Sequence, residues 1–146
     1  MVKKFEILPL MIRDHCKIEN LLDKLELSAK KDFDELKKAF YAFEWNLEKH
    51  VFLEEKVVFT SYNPDDVSEG YKMLPKLTEQ HNYILNTLEN WRNEIRHKRI
   101  IKDVYKLKEF LVKHKEFEEN EFYPKLEENL EIDEKMKMYD RLSEFI

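Results

Sequence analysis

Four stretches of the chain carry apolar residues at steps that alternate between three and four, which is the spacing of a helix that buries one face. In the first stretch the inward positions run from Leu8 to Leu25, and His15 occupies one of them where a core leucine would be expected. Because proline is favoured in the first turn of a helix, we predict that this helix begins near Pro9.

The second stretch follows a break at residues 28–32 and carries two polar residues on its inward face. Residues 32–35 have the order of a capping box, and Ser28 is the alternative cap. We predict a long helix from there to about Ser61. Its inward positions are Leu36, Phe40, Phe43, Leu47, His50, Glu54 and Val57.

The third helix follows a loop at residues 62–66. Gly70 and Pro75 disfavour a regular helix, so we expect residues 65–75 to be irregular or kinked. The helix then runs to a cationic cluster at residues 96–99, which suits a helix C-terminus. Its inward positions are Leu74, Leu77, His81, Ile84, Leu88, Trp91 and Ile95.

The fourth helix is predicted to start near Ile101 or Lys102 and to be kinked or ended by Pro124. Its inward positions are Val104, Leu107, Leu111, His114 and Glu118, followed by Glu121 or Phe122. A short amphipathic segment closes the sequence, and we expect it to lie across one end of the bundle or to contact another subunit. The apolar residues of that segment are Ile132, Met136, Tyr139, Leu142 and Ile146.

The composition supports an all-α fold in a single domain that spans residues 1–146. A chain of this length can bury one core, and its single glycine and four prolines leave little material for the turns of a sheet. We therefore predict a four-helix bundle with a short additional C-terminal helix.

Charge and cysteine content exclude several functions. The net charge of −5 gives no basis for nucleic acid binding. Residues 1–5 do not begin an apolar signal peptide, and no apolar run is long enough to cross a membrane. The single cysteine, Cys16, excludes an internal disulfide framework and fits a reducing compartment, so we expect a cytoplasmic protein.

Histidines occupy an inward position on every one of the four helices, whereas His97, the fifth, lies at a charged helix end. Glu54 and Glu118 follow two of these histidines by one turn and also face inward. A buried carboxylate without a partner costs several kcal/mol, so two of them in an apolar core call for a cation. The inward histidines are His15, His50, His81 and His114.

This set of donors favours a pair of transition-metal ions, with two histidines on each ion and both glutamates bridging. Iron is the leading candidate, because a single zinc usually takes four ligands and calcium or magnesium prefers oxygen. A bundle without metal would have to bury Glu54 beside Glu118, and we rank it last. A ferritin-like oxidase would need two Glu-x-x-His motifs, and this chain has only Glu94-x-x-His97.

Four segments, taken in order, resemble a known family over nearly the whole chain. They are residues 12–15, His50-x-x-x-Glu54-Glu55, residues 79–81, and His114-x-x-x-Glu118-Glu119 with residues 122–124. Their order and spacing resemble the hemerythrin-like family of HHE cation-binding domains. The resemblance implies an up-and-down four-helix bundle around two non-haem iron ions, bridged by two carboxylates and an oxo or hydroxo group. It implies one iron on His15 and His50, the other on His81 and His114, and bridges from Glu54 and Glu118.

Two positions depart from the oxygen-carrying hemerythrins. Those proteins have a second histidine one turn after the third-helix histidine, where this chain has Leu85, so one iron lacks a ligand unless Glu19 replaces it. They also place the last carboxylate five residues after its histidine, which here is Glu119. We prefer Glu118 because it lies on the inward face, and we expect Glu55 and Glu119 to be solvated or to support the ligands.

The resemblance implies a protein that binds or senses dioxygen at this carboxylate-bridged centre. The alternative is an enzyme that handles nitric oxide or peroxide, or a protein of iron homeostasis that repairs iron centres. The partner is then dioxygen or another small diatomic or peroxide ligand, and a homodimer or an unknown protein partner stays open. Tyr62 and Tyr123 follow the second and fourth helices closely enough to approach the site, but we expect them to pack at helix ends instead.

Overall fold

The computed structural model of the protein describes residues 6–63 and 66–146. Two predictions lie outside these ranges, namely that residues 1–5 begin no signal peptide and that Pro64 and Asp65 belong to a loop. No helix in the described ranges is long and apolar enough to cross a membrane.

Within the described residues the chain forms six α-helices and no β-strand. Helix α1 packs against α2 and α4, and α3 packs against the same two helices. The four long helices therefore enclose one core, which confirms the predicted helical bundle with a short extra helix. The helices are α1 (Ile7–Ser28), α2 (Phe33–Leu53), α3 (Glu69–Arg96), α4 (Val104–Phe117), α5 (Tyr123–Asn129) and α6 (Ile132–Ser143).

Helices α2 and α4 each continue into a π-helical turn, in which the backbone carries about one more residue per turn than an α-helix. The first π turn is Glu54–Val58, and a 3₁₀ turn then ends this helical element at Ser61, as predicted. The second π turn is Glu118–Phe122, and α5 follows it directly. Pro124 therefore lies in the first turn of α5, where its missing N–H is tolerated, and the helical path continues through it.

The start of α3 corrects one prediction. Residues 69–75 are helical rather than irregular, and Ser68 caps them by accepting a hydrogen bond from the Tyr71 N–H. Gly70 lies in this first turn, where a Cβ atom would come within 2.0 Å of the Tyr62 hydroxyl oxygen. The glycine thus allows the close approach of Tyr62 to the helix and does not break it.

The other helix boundaries follow local backbone chemistry. Asp32 caps α2, because its side chain accepts a hydrogen bond of 2.9 Å from the Glu35 N–H, which confirms the capping prediction. Helix α4 begins at Val104, slightly later than predicted, because Asp103 adopts a left-handed conformation with φ of 59°. Helix α1 begins at Ile7 rather than at Pro9, which lies in its first turn.

Two apolar clusters fill the bundle, and the polar inward residues lie between them. The large cluster joins the later half of α1, most of α2, the later half of α3 and the first half of α4. The end cluster joins the start of α1, the turns that follow α2 and α4, and helices α5 and α6. Apolar packing therefore covers the polar layer on both sides along the bundle.

Helix α6 lies across one end of the bundle, against α1 and the first π turn. Met138 and Leu142 are its buried residues. The predicted face is wrong in part, because Ile132 and Met136 are exposed at 69% and 37%. Met136 lies two residues from Met138 and therefore on the opposite side of the helix.

Candidate metal centre

All six residues predicted to bind metal meet in one buried layer, and none of them is more than 6% exposed. Glu54 Oε1 lies 3.2 Å from Nε2 of His50, its neighbour one turn earlier, and 3.0 Å from Nε2 of His81 on α3. The carboxylate therefore joins two helices. The six residues are His15, His50, Glu54, His81, His114 and Glu118.

Glu118 makes the matching contacts from the other side of the bundle. Its Oε1 lies 3.3 Å from Nε2 of His114, one turn earlier, and 3.0 Å from Nε2 of His15 on α1. The same oxygen is 3.9 Å from Nε2 of His50. Glu118 rather than Glu119 thus occupies the middle of the layer.

Each central glutamate is the first residue of a π turn. The extra residue in that turn shifts the inward positions that follow it. Val58 is therefore buried where the helical period predicted Val57, and Phe122 is buried while Glu121 is exposed. Such turns are uncommon inside helices and are found frequently at functional sites.

The six side chains form two groups that share both glutamates. His15 and His50 belong to one group and His81 and His114 to the other, and within each group one ligand atom from every member lies within 4.8 Å of the rest. Several central atoms have no hydrogen-bond partner, including Nε2 of His50 and His114 and Oε2 of Glu118. Because buried polar atoms are rarely left unpaired, these orphan atoms fit a cation in each group.

Three of the histidines point Nε2 to the centre and donate a hydrogen bond through Nδ1. The acceptors are Glu119 for His15 at 2.7 Å, Asp14 for His50 at 2.6 Å, and Gln80 for His114 at 2.5 Å. Such partners fix the ring and leave the opposite nitrogen free to bind metal. Sequence reasoning assigned no role to Asp14 or Gln80, although each directly precedes an inward histidine.

Two residues of the layer shift each other's pKa. Burial lowers the pKa of His50, but the charge of Glu54, the hydrogen bond with Asp14 and the nearby carboxylate of Glu118 together raise it well above its ordinary value. Burial likewise raises the pKa of Glu54, yet the charge of His50 and several hydrogen bonds hold it well below its usual range. His50 and Glu54 thus favour each other's charged forms, whereas burial lowers the pKa of His114. A bound cation would compete with protons for these side chains.

The sequence profile of the Hemerythrin HHE cation binding domain matches residues 6–126. The chain belongs to this family. A search of curated proteins found no match, and neither did a search of solved structures. The family is named for cation binding, and the two buried groups of histidines and glutamates in this hemerythrin HHE domain are suited to it.

Tyr123 extends this hemerythrin HHE centre beyond the predicted residues. It is fully buried, and its hydroxyl donates a hydrogen bond of 2.5 Å to Glu54 Oε2. Burial, followed by the charges of Glu54 and Glu118, raises the pKa of Tyr123 well above its ordinary value. Tyr123 therefore approaches the site, which was the alternative to the expected packing at a helix end, whereas Tyr62 does lie at the end, against Tyr71 and Phe122.

The second group of the hemerythrin HHE centre is closed by an aromatic ring. His81 stacks on Phe59, with the ring centres 5.5 Å apart and the planes within 8° of parallel. Its Nδ1 lies 3.6 Å from Glu55 Oε2, which is beyond hydrogen-bond distance. The outer nitrogen of His81 therefore has no hydrogen-bond partner, and the ring is supported by Phe59 instead.

A small cavity of about 20 Å³ adjoins the centre on the side of the first group. It touches His15, His50 and His114, and its other buried walls are apolar. This volume admits about one molecule of the size of water. The apolar walls are Ile18, Leu47, Ile84 and Leu111.

Two residues singled out by the sequence lie outside the two groups. Leu85 is half-buried and packs against the large apolar cluster, so it offers no ligand. Glu19 lines the small cavity and forms an ion pair with Lys115 of α4. It is absent from both candidate metal groups of the described chain.

Proposed function

We propose that this hemerythrin HHE domain is a non-haem di-iron protein that binds or senses dioxygen. One observation carries the proposal: two groups of two histidines share Glu54 and Glu118 in one buried layer of the bundle. The donor set supports two ions rather than one, because six protein ligands exceed the usual coordination of a single zinc. Mixed imidazole and carboxylate ligands favour iron over calcium or magnesium.

The side chains have separate tasks in this proposal. His15 and His50 would hold one ion, His81 and His114 would hold the other, and Glu54 and Glu118 would serve both groups. When bound, the iron pair supplies the redox chemistry that amino-acid side chains lack. The hydrogen bonds of Asp14, Glu119 and Gln80 orient the histidine rings, and Tyr123 orients the Glu54 carboxylate.

The cavity beside His15 and His50 supports a small uncharged ligand. Its apolar walls offer no compensation for the lost hydration of an ion, and its volume excludes larger molecules. Dioxygen and nitric oxide meet both conditions. The free and exposed thiol of Cys16 supports a reducing, cytoplasmic setting.

The test is to purify the protein without oxygen, load it with ferrous iron, count the metal and record the visible spectrum as oxygen is added. We expect two ions per chain and a band that disappears again when oxygen is removed. Less than one ion per chain would overturn the di-iron proposal. Turnover of nitric oxide or peroxide without reversible oxygen binding would favour the alternative enzyme.

A further inference from the structure

The ion pair between Glu19 and Lys115 lies where the small cavity faces solvent. Nine described residues line the cavity, and seven of them are no more than 8% exposed. The two exceptions are Lys115 and Glu19, whose side chains are 28% and 37% exposed. A molecule that reaches the cavity from solvent along this wall must therefore pass between or beside these two side chains.

The pair closes the gap between two helices that both carry central histidines. Glu19 lies one turn after His15 on α1, and Lys115 directly follows His114 on α4. Glu19 Oε1 is inaccessible to solvent and is contacted by Lys115 Nζ. The polar ends of two long side chains thus form the outer wall of an otherwise apolar cavity.

We propose that Glu19 and Lys115 form a gate between solvent and the cavity. The pair sets how readily small uncharged molecules reach the cavity. A half-exposed ion pair is weak enough to part often, because solvent screens both charges. The inference deepens the proposed function and rests on it for the identity of the ligand, whereas access to the cavity can be measured without iron.

The test uses the full chain without iron and dissolved dioxygen as a paramagnetic probe of methyl groups in nuclear magnetic resonance spectra. Lys115→Ala shortens one side of the gate. We expect it to raise the oxygen-induced relaxation of the Ile18, Ile84 and Leu111 methyls by about two- to fivefold, the range over which such a pair can bias opening. No rise at these methyls would overturn the proposal.

Lys108→Ala is the matched control. Lys108 also joins α4 to α1, through Asp23 at 2.9 Å, but it does not line the cavity. We expect it to leave the relaxation of the cavity methyls unchanged, and equal rises in the two alanine variants would contradict the gate. Spectra with a bulky uncharged nitroxide report general loosening, which should be the same in both variants.

A charge exchange tests the pair itself. Glu19→Lys combined with Lys115→Glu restores opposite charges at the same sites, and we expect relaxation close to that of the original protein. A double variant as open as Lys115→Ala would mean that the pairing has no role. If Lys115→Ala loses helix content, Glu19→Gln keeps the shape and weakens the pair, and it should produce a smaller rise. Because iron is absent, these results are independent of the metal count that tests the proposed function.

Discussion

The two histidine pairs of the centre share both glutamates but are supported differently. In the first pair, both rings donate their outer hydrogen bond to a carboxylate: His15 donates to Glu119 and His50 donates to Asp14. In the second pair, His114 has the neutral amide of Gln80 and His81 has a stacked ring instead of a polar acceptor. The cavity touches both members of the first pair and only one of the second.

Because their hydrogen-bond partners and their contact with the cavity differ, we expect the two histidine pairs to have different tasks. A carboxylate behind a histidine increases the basicity of the ring and strengthens its hold on a metal. The first pair combines this charged support with open space for a ligand. The second pair is enclosed, so we expect it to anchor its ion without exposing it.

The largest effect should follow from removing what the two pairs share. Glu118→Ala removes one oxygen donor from both groups, so we expect loss of both ions, measured as iron per chain after anaerobic loading. Glu121→Ala is the control, because this residue belongs to the same π turn but is exposed. Loss of only one ion in Glu118→Ala would mean that the glutamate serves one group alone.

The next largest effect separates the pairs. His50→Ala and His81→Ala should each cost about one of the two ions, because each removes a nitrogen from one group only. We expect the oxygen-dependent visible band to vanish in His50→Ala, whose site adjoins the cavity, and to persist in weakened form in His81→Ala. His97→Ala should match the original protein, and an equal loss of iron in that variant would refute the assignment.

A smaller effect should distinguish Asp14 from Gln80, which accept hydrogen bonds from the outer nitrogens of His50 and His114. Asp14→Asn keeps the shape but removes the charge behind His50, and we expect metal affinity to fall about 10- to 100-fold in a chelator competition. Gln80→Met removes a neutral acceptor from His114 and should cost less. A greater loss from Gln80→Met would reverse the comparison between the two pairs.

The smallest effect concerns the metal-free protein and its pH dependence. The raised pKa of His50 stabilises the fold fully below the ordinary value of 6.5, and this contribution is lost as pH rises through the raised value. The lowered pKa of Glu54 acts in the opposite sense: its contribution to stability is present above pH 4.5 and is lost as pH falls through the lowered value.

Urea unfolding should therefore show greatest stability between about pH 5 and 6.5, with a loss on the order of 1 kcal/mol on the alkaline side. His50→Ala should reduce that alkaline loss but not abolish it, because the pKa values of His15 and His81 are raised as well. An unchanged profile would contradict the prediction.

The inward positions of the six central residues could be predicted because burial in a helical bundle follows a period. His15 and His81 stand where that period calls for leucine, and Glu54 and Glu118 follow the other two histidines by one turn. The structure buries all six, so regular geometry alone was enough to group them.

The π turns could not be predicted, because no residue type marks them. In a regular α-helix Tyr123, five residues after Glu118, would turn away from the inward face. The additional residue in the π turn rotates it back, and its hydroxyl reaches Glu54. The same shift moves the buried position from Val57 to Val58.

The outer partners also escaped prediction. Asp14 and Gln80 lie beside the inward face rather than on it, where a polar residue normally faces solvent. Asp14 is only 1% exposed because a neighbouring helix covers it and His50 binds it. Such burial depends on how neighbouring helices pack against each other. The spacing of apolar residues along a single helix does not predict that packing.

The two π turns have a consequence for comparing relatives of this protein. Each turn holds one residue that could be deleted without breaking the helix, since the backbone could close into an ordinary α turn. Such a deletion after Glu54 would leave His50 and Glu54 in place but rotate Phe59 away from His81. We therefore expect single-residue gaps in alignments to fall in these turns. A relative with such a gap should keep all six central residues, while the side chains packed at the end of the bundle that follows the turns should differ.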